Sequence, residues 1–176
     1  MSEAGTVRVG PSVADPIPAG RRGLRALLAL LLALALCFSA AALGALFPPG
    51  AWYFELEPPA LTPPPWVFGP VWTMLYTLMA IAAWLVWRER GLAGARLPLA
   101  LFALQLALNA AWSPIFFGAH ALGWALVEIV LLWLTIATTA VAFRRVSPLA
   151  AALLVPYLAW VGLATWLNFG FWRLDR

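Results

Sequence analysis

Charge is scarce in this chain: of 176 residues only 10% are Asp, Glu, Lys or Arg, against 64% that are hydrophobic. A soluble domain carries roughly 25% charged residues, so an ordinary globular surface is excluded. Histidine and cysteine occur once each. Cys37 permits no internal disulfide, and its place in mid-run reads as a small packing residue. His120 stands alone, and no cluster of His, Cys or Asp is found, which leaves no ligand set for a structural metal or a haem held by two histidines. No phosphate-binding glycine loop, nucleophile elbow or carboxylate pair occurs, so the sequence offers no catalytic residue, no metal ligand and no required cofactor.

What is present is a set of long uncharged runs and eleven tryptophans, most of them inside or at the ends of those runs. A helix of about 18 or more apolar residues crosses the ~30 Å hydrocarbon core of a bilayer, and five such runs occur. They predict an all-α membrane protein, a bundle of five transmembrane helices at about 24–47, 66–87, 97–119, 121–143 and 147–172. These spans fill a membrane domain over 23–176, leaving no room for a soluble catalytic domain. Residues 1–22 are rich in Gly, Pro and Ala without apolar periodicity and predict a disordered tail. Arg21-Arg22 followed by an apolar run imitates a signal peptide, but 22 uncharged residues exceed the ~7–15 of a signal core, so the first helix is expected to be retained.

A sequence pI near 10.2 and a net charge of +4 would suggest nucleic acid in a soluble protein; here the placement of the basic residues argues for a membrane instead. With alternating helices, Arg8, Arg21, Arg22, Arg25, Arg88, Arg90, Arg96, Arg144 and Arg145 share one side, and Arg173 and Arg176 the other. The positive-inside rule then puts the N-terminus in the cytoplasm and the C-terminus outside, with a bacterial cell membrane as the expected compartment.

Eight of the fifteen prolines fall between Pro48 and Pro70. Their fixed φ makes the first loop stiff, and with aromatics at both ends it is expected to fold over the bundle as a lid. On the third helix Gln105, Asn109 and Ser113 recur every four residues beside Trp112. On the fifth, Tyr157, Trp160, Ala164 and Asn168 form a second stripe, and the second helix adds Trp72 and Tyr76 one turn apart. Unpaired amides are costly in hydrocarbon, so these faces point inward, either to bond neighbouring helices or to line a pocket for a flat, mostly apolar ligand. Trp66, Trp87, Trp124 and Trp172 sit near span ends and fit the interfacial aromatic belt. Glu128 is the only ionisable acid or base within a span, and it reads equally as a functional site or as a carboxyl bonded to a neighbouring helix. Small-residue ladders, Ala29-Ala33-Cys37-Ala41-Ala45 and Ala103-Ala107-Ala111, allow close helix contact within the bundle or between two copies.

The segments WVFGPVWTMLY (66–76), QLALNAAWSPIFFG (105–118) and PYLAWVGLATWLN (156–168) stand in an order and spacing that resemble the TspO/MBR family of tryptophan-rich sensory and translocator proteins. The resemblance runs from Phe47 to Arg173. It implies a five-helix bundle, often a homodimer, that binds tetrapyrroles (porphyrin or haem), sterols and isoquinoline- or benzodiazepine-type compounds. By motif match the ligand would meet Tyr53, Pro63, Trp72, Tyr76, Asn109, Trp112, Ile129, Trp160 and Ala164. Two positions depart from the family's pattern: Leu61 stands where a Trp is expected before Pro63-Pro64, and Phe169 where a sterol-recognition pattern places Tyr. The function implied is a membrane receptor or sensor regulating tetrapyrrole metabolism or a stress response. Two alternatives stay open, a light-dependent porphyrin-degrading enzyme with the tryptophans as radical relays and a porphyrin or sterol carrier. Against the carrier stands the lack of an inverted repeat or a pair of broken helices.

The arginine asymmetry yields a test of orientation. A topology reporter fused at Gly5 should be active in the cytoplasm and one fused at Arg176 outside; cytoplasmic activity of the C-terminal fusion would overturn the assignment.

Overall fold

The computed structural model describes residues 19–175, so the expected tail lies, for residues 1–18, outside the described residues. The elements are helices: α1 (Ala19–Ala45), α2 (Ala51–Glu55), α3 (Pro65–Gly94), α4 (Arg96–Ser113), α5 (Leu122–Arg144), α6 (Pro148–Leu153) and α7 (Val155–Leu174), with a π-helical turn at Pro114–Gly118 and no strand among the described residues. Five segments are long and apolar enough to cross a membrane: Gly23–Ala45 of α1, α3, α4 with its π turn, α5, and α6–α7 together. The protein is therefore an all-α, multi-pass integral membrane protein.

Local chemistry explains the breaks. Pro114 lacks an N–H and cannot continue the α-helical ladder, so α4 widens into the π turn, where the Ala119 N–H donates to the Pro114 carbonyl five residues back (2.9 Å). α3 tolerates Pro70 in its interior but breaks at Gly91, whose φ of +63° few other residues adopt. The fifth crossing is interrupted at Leu154, two residues before Pro156, which separates α6 from α7. The break at Gly91 falls in the expected loop after the 66–87 span, so of these two breaks only the one at Leu154 interrupts a crossing, and the sequence had not suggested it. The lost donor at Pro156 is a local effect that the hydropathy of an apolar run does not display.

α1 packs against α3 and α4, α5 against α4 and α7, and α6 against α3 and α5, closing a ring. The α1 ladder faces inward, with Cys37 fully buried and Ala33 and Ala41 half-buried, while Leu24, Leu28, Leu31 and Leu32 on its other faces are exposed toward lipid. A Trp84 indole N–H donates to the Ala26 carbonyl (2.8 Å), tying α3 to α1, and the Arg88 guanidinium lies 4.7 Å from the Trp84 ring centroid.

The first loop does fold over one end of the bundle. Its short helix α2 lays Trp52 and Tyr53 on Phe116, and Tyr53 also meets Phe117 and Phe171 at ring separations of 5.4 and 5.3 Å. Beyond it Thr62 bonds back to the Pro59 carbonyl (2.7 Å), holding a turn in which Leu61 takes a φ of +72°. Pro59 lies so close to α7 at Gly170 that a Cβ there would fall 2.5 Å from the Pro59 Cβ. Gly170→Ala should therefore push the proline segment off α7, costing about 1–3 kcal/mol. Faster proteolysis of the first loop with helix content unchanged is the expected result, and unchanged proteolysis and thermal stability would refute it.

Candidate functional site

The polar stripes meet at the centre of the bundle. The Tyr76 hydroxyl donates to Asn109 Oδ1, and Asn109 Nδ2 donates to the Tyr157 hydroxyl (3.0 Å), so one amide joins α3, α4 and α7. Trp72 covers this chain, stacked on Tyr76 at 5.4 Å and edge-on to Tyr157 at 6.3 Å. All three bonded groups are buried. In hydrocarbon an unpaired amide costs several kcal/mol, and here each hydroxyl and amide finds its partner on another helix.

A second network lies nearer the lid. The Trp112 indole N–H donates to Asn168 Oδ1 (3.1 Å), and Asn168 Nδ2 donates to the Leu122 carbonyl (3.0 Å) at the start of α5. That carbonyl belongs to the first turn of α5. Trp112 stacks on Phe116 at 4.7 Å and meets Phe117 edge-on, so it belongs to the aromatic cluster beneath Trp52 and Tyr53. It also packs against the main core and thereby links the two clusters. Burial pushes the Tyr53 phenol above its usual range.

Trp160 occupies a third position, edge-on to Phe68 at 5.6 Å, on the wall of an apolar groove of about 390 Å³ between α3 and α7. Val71, Met74, Leu75, Pro156, Ala159 and Leu163 complete it. Ala164, one turn along from Trp160, packs against the same core, and Ile129 is buried within it. Pro63 sits in the connecting segment, two residues before α3.

Of the nine sequence-derived site residues, Trp72, Tyr76 and Asn109 form one contact group. Trp112 and Tyr53 belong to the cluster under the lid, and Trp160 stands at the groove. Ala164 and Ile129 lie in the shared core. Two residues bonded into these networks, Tyr157 and Asn168, were visible as stripe members but not as site residues. Their significance lies in the partners they find across helices. The sequence also gave no sign of Trp52 stacked on His120 at 4.0 Å, a contact made as His120 adopts a φ of +52°.

A five-crossing helical bundle built round buried aromatic, phenol and amide groups defines a class of multi-pass membrane protein. The TspO/MBR family profile matches residues 31–173, and the chain belongs to that family. It is 52% identical to the translocator protein of Homo sapiens over 124 residues, covering 69% of this chain and 73% of that protein. It is 46% identical to protein CrtK of Rhodobacter capsulatus over 143 residues, 79% of this chain and 88% of that one. With the tryptophan-rich protein TspO of Chlorobaculum tepidum it shares 42% identity over 156 residues, 85% and 97% of the two chains. Family membership supports a membrane receptor or sensor role.

Asn168 makes the most specific structural commitment. Asn168→Leu, of similar volume, should leave the Trp112 N–H and the Leu122 carbonyl without their bonds and destabilise the bundle by roughly 1–2 kcal/mol. Detergent-induced unfolding in bicelles measures this, and an unchanged midpoint would show that neither bond contributes.

Proposed function

We propose that this protein is a membrane receptor for tetrapyrroles, porphyrin or haem, with sterols and isoquinoline- or benzodiazepine-type compounds as further ligands. The observation that carries the reading is the apolar groove at Trp160, about 390 Å³ and backed by the core that holds Trp72 and Tyr76, the latter bonded to Asn109. Binding sites for flat organic ligands are concave, largely apolar and aromatic, with a few polar groups that fix orientation. The groove supplies the apolar walls and an indole; the Tyr76–Asn109–Tyr157 chain supplies polar handles once the ligand reaches the core. The resemblance of the motifs to the TspO/MBR pattern supports the same ligand class. The arginine distribution supports an N-terminus in the cytoplasm of a bacterial cell, and the exposed Ala103 and Ala107 of α4 support self-association as a homodimer.

Titration with protoporphyrin in detergent or nanodiscs tests the proposal. Binding should quench tryptophan fluorescence and shift the pigment spectrum in the dark; loss of the pigment spectrum under illumination would instead mark turnover. Stacking on an aromatic ring is worth about 0.5–1.5 kcal/mol beyond burial, so Trp160→Leu should raise the dissociation constant roughly two- to twelve-fold. Ala164→Thr should weaken binding in the same direction by placing a branched hydroxyl one turn away. Trp87, fifteen residues beyond Trp72 on α3 and so about 22 Å along its axis, gives the control. Equal affinity in the parent, Trp160→Leu and Ala164→Thr would remove the groove from the binding site.

A further inference from the structure

The groups at the centre of the bundle come from all five crossings. Cys37 of α1 is buried in the same core cluster as Tyr76 and Tyr157, and Glu128 directly precedes Ile129 of that cluster on α5. Tyr76, Asn109 and Tyr157 are hydrogen-bonded to one another as described. Glu128, six residues into α5, is only 8% exposed, and neither of its carboxyl oxygens has a partner. Gln105, one turn before Asn109 on the same face of α4 and 1% exposed, also has neither amide atom bonded. The two unpartnered side chains are thus a carboxyl on α5 and an amide one turn from Asn109 on α4, on helices that pack against each other.

A packing role does not account for this pattern. A structural acid at this depth survives because a donor on a neighbouring helix satisfies it, as Asn109 and Asn168 satisfy their neighbours. No donor reaches either Glu128 oxygen: the Tyr76 hydroxyl donates to Asn109, and the Tyr157 hydroxyl, which accepts from Asn109, does not donate to the carboxyl. An acid left without a fixed donor is free to exchange its proton with any carrier that reaches it. Of the elements packed against α5, α7 contributes the titratable Tyr157, and the wider core adds Cys37 on α1 and Tyr76 on α3. α4 contributes the neutral amides Asn109 and Gln105, α6 contributes nothing titratable, and the arginines and remaining acids of these helices lie at their ends.

We propose that this centre is a proton-binding site: Glu128 takes up and releases a proton within the bilayer, exchanging it with water admitted along the polar face formed by Gln105, Asn109 and the two phenols. The step balances simply. A carboxylate oxygen forms an O–H bond with a proton taken from hydronium, which becomes water, and the reverse step returns it. α5 packs against α4, α6 and α7, so a change of charge on Glu128 acts on the packing of those helices. The site stands independently of which ligand the groove takes.

Infrared spectroscopy of the full chain in lipid bilayers tests this without any ligand. The expected result is a C=O stretching band of a protonated carboxyl that declines as the buffer is made alkaline, shifts within minutes of transfer to heavy water, and vanishes in Glu128→Gln. Should Glu128→Gln fail to insert, Glu128→Asp keeps the acid and assigns the band by moving it. Tyr157→Phe, which removes one hydroxyl of the chain, should move the band's frequency and slow its deuterium shift several-fold. A Glu128 band that ignores buffer pH, or that takes hours to exchange in heavy water, would overturn the proposal and make Glu128 a sealed structural acid. A band unaltered by Tyr157→Phe would overturn it as well, because the carboxyl would then not belong to the chain.

Discussion

Everything in this bundle follows from the absence of water as a hydrogen-bonding partner in the hydrocarbon core. Backbone groups answer by forming helices, which is why 64% hydrophobic composition and five apolar runs become five crossings. Side chains face a harder condition, because lipid supplies no hydrophobic push between helices and a polar group must find its partner on another helix. Asn109 and Asn168 meet it by acting twice, each accepting through one amide atom and donating through the other. Two amides thereby fix four helices: Asn109 joins α3 and α4 to α7, and Asn168 joins α4 and α7 to α5.

Aromatic rings fill the space that these bonds define. Trp72 lies flat on Tyr76, and Trp112 lies on Phe116, so both indoles cover a polar network on one side and contact apolar residues on the other. The arrangement combines a polar interior with a dry exterior. It also concentrates the lid's contacts, since Trp52 and Tyr53 reach the bundle through Phe116, Phe117 and Phe171 and through the stack on His120. Without those rings the stretch from Pro48 to Pro65 would have little holding it to the bundle except the Pro59–Gly170 approach.

The crossings were readable because length and uninterrupted apolarity are properties of a contiguous segment, and the bilayer acts on each segment separately. Stripes at helical spacing were readable for the same reason: Tyr157, Trp160, Ala164 and Asn168 share a face whatever they touch. What could not be read is which residues of different helices meet, since that depends on register and rotation fixed by the whole assembly. Trp72, Trp112 and Trp160 looked alike in the sequence, each deep and each near an amide. The structure gives them three surroundings: one on Tyr76, one on Asn168 and Phe116, one on the open groove. The break at Leu154 was missed for a different reason, because hydropathy is indifferent to whether an apolar segment is straight.

The two unpaired side chains are the exception to the rule that organises the rest. Where satisfaction is general, a lapse needs a cause, and Gln105 and Glu128 lapse on the neighbouring helices α4 and α5. Replacing both by leucine should separate the causes. If they served only each other in some exchange of rotamers, the double replacement would restore stability that either single replacement loses, as paired buried groups do. If Glu128 instead exchanges protons with water along the polar face, the double variant should be at least as stable as the parent, each single leucine should also be no less stable, and the pH-dependent carboxyl band should be gone. Stability and the infrared band then report on different properties of one residue, and the combination decides whether the carboxyl is retained for packing or for its proton.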